Sequence, residues 1–144
     1  MKKNSERLDH ALHNEQVCDY LQVNEKSCFD WIITTAFYTA YHFVAYKVFP
    51  FQVPSLEGKQ TTINTVDEYH NYKKAIQRNI SKHELLADLV EKNCPEISPD
   101  YDWLLDMSMK ARYYYYYQDK DIAGKAVGLM KVIKKYCTKE DKKS

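Results

Sequence analysis

Apolar residues recur every three or four positions along most of this chain, the period of helices that bury one face. Leu8, Leu12 or Ala11, Val17 and Leu21 mark a first amphipathic helix, from Ser5 to Val23. Asn24 is placed to cap a second, from about Glu25 to Phe49, which Pro50 ends. That helix is apolar on most sides, as a central helix is. One arc holds Phe29, Ile32, Ile33, Ala36, Phe37, Ala40, Phe43 and Val44; the other mixes Thr35, Tyr38, Thr39, His42 and Tyr46. The period then breaks. Residues 51–64, with Pro54 and Gly58, read as a flexible loop.

Thr65 with Glu68, and Ser81 with Glu84, have the spacing of capping boxes. They open a third helix, to about Asn79, and a short fourth, to about Asn93. Cys94-Pro95-Glu96 reads as a turn. Ser98 is placed to cap a fifth helix, with Pro99 in the first position, where its missing N–H costs nothing. The fifth helix runs to about Tyr117. Asp119 caps a sixth, Ile122 to about Tyr136, on the stripe Ile122, Ala126, Leu129 and Ile133. The lysine-rich tail, about 138–144, is expected to be disordered.

Composition agrees with helices. Three glycines and four prolines in 144 residues leave little room for the tight turns of a sandwich or barrel. The expected fold is all-α: an up-and-down bundle of five or six helices in a single domain over residues 1–144. No repeat or linker interrupts it. The net charge of +1 gives no global pull toward nucleic acid or membrane. Lys131, Lys134, Lys135, Lys139, Lys142 and Lys143 make a local basic patch, which reads first as a solvated helix end. The best candidate for a membrane span, Trp31 to Phe51, contains His42 and Lys47 and reads as a buried core helix. Four widely spaced cysteines and a polar N-terminus are those of a cytoplasmic protein with reduced thiols.

Metal and cofactor chemistry lacks its residues. A di-iron bundle needs two Glu-x-x-His pairs; the nearest match is a single Asp67-x-x-His70, and His10 and His13 have no third ligand. No glycine-rich phosphate loop is present, and no local motif marks a nucleophile. No cofactor is therefore expected.

Arg112 stands out, as one of three arginines against eighteen lysines. It falls near the centre of the stripe Tyr101, Leu104, Leu105, Ser108, Ala111 and Tyr115. A buried guanidinium needs a partner. It either holds a structural carboxylate or faces a pocket for something negative. His42 reads as a core histidine among tyrosines or as a catalytic group. His70 would face the bundle beside Lys73. The tyrosine run Tyr113 to Tyr117 offers stacking area and polar tips, suited to a dimer contact or to nucleotide bases.

Three stretches together resemble the HEPN superfamily of helical-bundle domains. The first is Asp30-Trp31-Ile32-Ile33-Thr34-Thr35-Ala36-Phe37-Tyr38-Thr39-Ala40-Tyr41-His42, similar to that family's second helix. The second is Tyr69-His70-x-x-Lys73, similar to a His-x-x-Arg of one bacterial branch, with Lys73 in the arginine's place. The third is Leu105-x-x-Ser108-x-x-Ala111-Arg112-Tyr113, similar to that branch's Leu-x-x-Ser-x-x-Ala-Arg-Tyr. The resemblance spans about residues 10–137. It implies a homodimer with an RNA or nucleotide ligand, and an antitoxin or other protein partner. Many members are metal-independent ribonucleases of toxin-antitoxin or defence systems, with an arginine followed at short spacing by a histidine. Arg112 matches that arginine, but Tyr117, Gln118 and Asp119 stand where the histidine would be. The resemblance then implies that Arg112 binds phosphate. An imidazole would have to come from another helix, from His70 or His42; the ribonuclease reading takes His70 as the acid/base group, with His42, Lys73, Ser108, Tyr113 and Tyr117 in support. Other members bind without catalysis; on that alternative the chain is a dimeric interaction module and Arg112 is a buried structural residue.

Overall fold

The computed structural model describes residues 2–25, 27–55, 57–75, 80–114 and 119–139. Among these the chain forms six α-helices and one small hairpin, an all-α bundle. The helices are α1 (Lys2–Asn24), α2 (Phe29–Val48), α3 (Val66–Lys74), α4 (Lys82–Asn93), α5 (Ser98–Met109) and α6 (Lys120–Thr138). No helix among the described residues is long and apolar enough to cross a membrane.

α2 is the central helix. Ile33, Ala36, Phe37, Ala40, Phe43 and Val44 are fully buried and pack among α1, α5 and α6. It starts later than the sequence predicts. The Asn24 side chain donates to the Tyr20 carbonyl (3.2 Å) and so finishes α1, and α2 begins after Cys28. In α1 the inward seam is Ala11, Glu15 and Cys18; Val17, predicted to lie on the stripe, is 37% exposed.

Local capping explains most other boundaries. Thr65 accepts from the Glu68 amide (3.1 Å), and Glu68 reaches back to the Asn64 amide (2.9 Å). Ser81 accepts from the Glu84 amide (3.1 Å), and Asp119 from the Ile122 amide (2.8 Å). The fifth boundary differs. A short 3-10 turn, Pro95–Ile97, leads into α5, so Ser98 is already helical and caps nothing.

The stretch 51–64, predicted to be a loop, holds an antiparallel hairpin. Strands β1 (Phe51–Pro54) and β2 (Gln60–Ile63) pair with Phe51 opposite Ile63 and Gln52 opposite Thr62. Phe51 stacks on Phe49 (5.5 Å) and meets Tyr69 edge-on (5.2 Å), while Gln52 donates to Thr62 across the strands (2.8 Å). Gly58, at φ 79°, supplies the left-handed residue of the turn. The third predicted helix is cut to nine residues, and its expected extension to Asn79 falls on 76–79, outside the described residues. The expected disorder from residue 140 onward lies outside them too; Thr138 is helical.

An ion cluster ties α1 to α6. Glu15, its side chain 8% exposed, accepts from Lys131 (2.5 Å) and Lys134 (2.9 Å), and Lys131 also reaches Asp19 (3.3 Å). These pairs set α6 antiparallel to α1 and hence parallel to α2. Burial alone would raise the Glu15 carboxyl, but the lysine hydrogen bonds and charges outweigh it and hold it below its ordinary value of 4.5. A carboxyl depressed on folding contributes stability above its unfolded value and loses it as pH falls through the folded one. Glu15→Gln is therefore expected to lower stability by about 1–2 kcal/mol at neutral pH. The penalty should shrink below about pH 4.5. Thermal melts across pH check this; a penalty that stays constant into acid would contradict it.

Candidate functional site

The α5 stripe Tyr101, Leu104, Ser108 and Ala111 is buried against α2. After Met109 the backbone widens into a π turn, Lys110–Tyr114, and Arg112 lies within it. Such single turns are rare and often occur at functional sites. The turn keeps Arg112 half-buried with its guanidinium over α2.

Neutral groups hold it there. Nε donates to the Ser108 carbonyl (3.2 Å), Nη2 to the Ser108 hydroxyl (3.3 Å) and the Met109 sulfur (3.4 Å), and Nη1 to the Tyr38 hydroxyl (2.6 Å). Ser108 is fully buried and anchors its own hydroxyl on the Leu105 carbonyl (3.0 Å). The guanidinium carbon lies 5.1 Å from the Tyr38 ring, 5.2 Å from Tyr113 and 6.0 Å from Phe37. Ring faces stabilise a cation but do not neutralise it. Among the described residues no carboxylate comes within ion-pairing distance of Arg112. The arrangement is a fixed positive charge with four of its five N–H groups engaged, which leaves one Nη1 N–H to donate to an oxyanion.

A histidine stands on the same wall. His83 is in the first turn of α4, just past the Ser81 cap, and packs edge-on against Phe37 (5.6 Å) and Tyr41 (6.0 Å). Its Nδ1 is sealed from solvent with no hydrogen-bond partner. Burial lowers its pKa, and the Arg112 charge lowers it further, so the ring is neutral at neutral pH. A neutral imidazole carries one N–H and one basic nitrogen, the form general acid–base work requires. Tyr41 is pushed up to about 12 by burial, then by Asp67 and Tyr38, and stays a protonated hydroxyl. Asp67 itself pairs with Lys82 (2.5 Å), the residue before His83.

Of the predicted site residues, Ser108 and Tyr113 do meet Arg112; Tyr113 is 65% exposed, with its ring against the guanidinium. Tyr117 lies outside the described residues. His70 is engaged elsewhere. Its Nε2 donates to the Ile80 carbonyl (2.9 Å), tying the end of α3 to the start of α4, and no contact among the described residues joins it to Arg112. Lys73 sits over the Tyr69 ring (5.7 Å).

His42 stacks on His10, with ring centroids 3.7 Å apart. Burial, then His10, pushes its pKa down to about 4. A histidine depressed on folding stays neutral while the unfolded chain takes up a proton. Its contribution is full above the ordinary value of 6.5 and is lost as pH falls toward about 4. His42→Phe is expected to flatten the pH dependence of Tm across that window. An unaltered slope would show that His42 is not the group responsible. Among the described residues no cluster of three or more His, Cys, Asp or Glu side chains has the arrangement of a metal site.

His83 is the group that sequence reasoning missed. Its signal was present: His83, Leu86 and Val90 share one face of α4, and both leucine and valine are buried. No protein-family model matches this chain, and neither the curated proteins nor the solved structures compared with it yield a match.

Proposed function

We propose that this chain is an RNA-directed protein of HEPN type, a metal-independent endoribonuclease in which Arg112 holds the scissile phosphate. The observation that carries the reading is an arginine fixed by hydroxyls, a carbonyl and ring faces, without a carboxylate partner, on a wall shared with a neutral histidine. Cleavage of RNA without metal requires an adjacent 2′-hydroxyl to attack phosphorus. Its proton is taken up, the P–O5′ bond breaks, and the leaving oxygen is protonated. His83 takes the role of proton carrier here in preference to His70, because His83 packs on the same Phe37 ring as the guanidinium and feels its charge, whereas no contact among the described residues joins His70 to Arg112. Arg112 stabilises the charge developing on the phosphoryl oxygens, and the Tyr38 hydroxyl keeps the guanidinium oriented. The same proposal includes a homodimer and a toxin-antitoxin or defence setting, as the resemblance implies.

A second reading keeps the anion site and drops the chemistry: a non-catalytic binding module. The sealed Nδ1 of His83 favours it, because only Nε2 is then left to meet a substrate. Incubating the purified chain with RNA in EDTA separates the two. Cleavage lost in Arg112→Ala supports the ribonuclease. Binding without cleavage, lost in the same variant, supports the module. Neither binding nor cleavage would overturn both.

A further inference from the structure

The turn end of α1, the first turn of α2 and the first turns of α6 enclose a half-open cavity of about 360 Å³, whose lining does not include Arg112. This is within the range of small-ligand pockets, roughly 300–1,000 Å³. Phe29, Ile32 and Val127 make its apolar walls. Gly124 lies on its α6 side, and a Cβ added there would meet no atom within 4 Å, so the helix backbone itself borders open space. Among the described residues two polar side chains line it. Gln22 directs its amide to the Cys18 carbonyl (3.3 Å), which leaves Lys120 as the charged group among them. Lys120 makes no ion pair among the described residues. Of the neighbouring carboxylates, Asp119 accepts from the Ile122 amide, and Asp121 lies about 100° further round the helix. No carboxylate among the described residues lines the cavity.

We infer that this cavity binds a small amphipathic carboxylate, a fatty acid of medium chain length. Its tail lies against Phe29, Ile32 and Val127, and its head group lies on Lys120. The apolar walls select a hydrocarbon body, and the Lys120 ammonium, without an ion pair among the described residues, selects an acid over an alcohol or an amine. The inference does not depend on the role of Arg112.

The test displaces the fluorescent probe anilinonaphthalene sulfonate from the folded chain with decanoate, decanol and decyltrimethylammonium. Decanoate is expected to compete best and the ammonium worst. Lys120→Met should weaken decanoate by roughly threefold to tenfold, the worth of one exposed ion pair, and leave decanol unchanged. Gly124→Leu fills the cavity from an exposed helical position with a better helix former, so it stays folded while losing all three competitors. Decanoate failing to displace the probe from the unmodified chain overturns the inference, as does displacement undiminished in Gly124→Leu. Sedimentation supplies the remaining arm: if Gly124→Leu turns a dimer into a monomer while decanoate never binds, the occupant is a second copy of the chain and the inference fails.

Discussion

Arg112→Ala is expected to abolish RNA cleavage, by about a hundredfold to a thousandfold, and to leave the bundle folded. The rate effect is the size seen when a preorganised donor to a developing oxyanion is removed. The modest stability effect follows from the partners. The guanidinium is held by hydroxyls, a carbonyl, a sulfur and ring faces, so its removal strands no buried carboxylate. A structural ion pair would behave differently, because breaking one costs about 3–5 kcal/mol. Arg112→Lys should recover little. A single ammonium cannot bond the Ser108 carbonyl, the Ser108 hydroxyl and the Tyr38 hydroxyl together and still donate to phosphate. His83→Ala is expected to match the loss, by about a hundredfold or more, as for a proton carrier. His70→Ala should cost stability and spare the rate. The pH profile carries a further mark: the pKa of His83 is held below 6.5, so activity that needs its neutral form should persist below that pH before falling. A large drop in Tm for Arg112→Ala, or a rate that depends on His70 and ignores His83, would reverse the assignment.

Phe37→Ala is expected to be the most damaging core substitution, at about 3–5 kcal/mol. A domain of this kind has roughly 5–15 kcal/mol to lose. Phe37 is fully buried on α2 and its ring meets Tyr38, Tyr41, His83, Tyr101 and the guanidinium of Arg112. Its removal opens a cavity where α2, α4 and α5 converge, and it removes the spacer that sets His83 relative to Arg112. Urea unfolding should show a lower midpoint with an unchanged slope. Phe37→Leu, which keeps most of the volume, should cost far less and retain partial activity. A loss below about 1 kcal/mol for the alanine variant would mean the surrounding rings close the gap, contrary to their packing.

Some of this was open to reading from the chain. Thr65, Ser81 and Asp119 begin their helices because each hydroxyl or carboxylate serves an amide three residues away, an interaction contained in four residues. The inward stripe of α5 was legible for the same reason, since helical period places Tyr101, Leu104, Ser108 and Ala111 on one line. The hairpin was not. Its strands are only four residues long, β2 has no alternation at all, and they gain their hold from Phe49, Tyr69 and Tyr72, which lie outside the hairpin. Glu15 was likewise invisible as a core position, because its burial depends on two lysines more than a hundred residues away.

By itself, then, the order of residues determined that six helices form, the caps at Thr65, Ser81 and Asp119, and the inward face of Arg112, because each rests on spacings of three or four positions. What Arg112 meets there was decided only by tertiary structure. Tyr38 lies 74 residues away, and His83 reaches the site through the packing of α4 on Phe37 and Tyr41. No local spacing encodes which helix faces cross. That crossing surrounds the charge with hydroxyls and rings instead of a carboxylate.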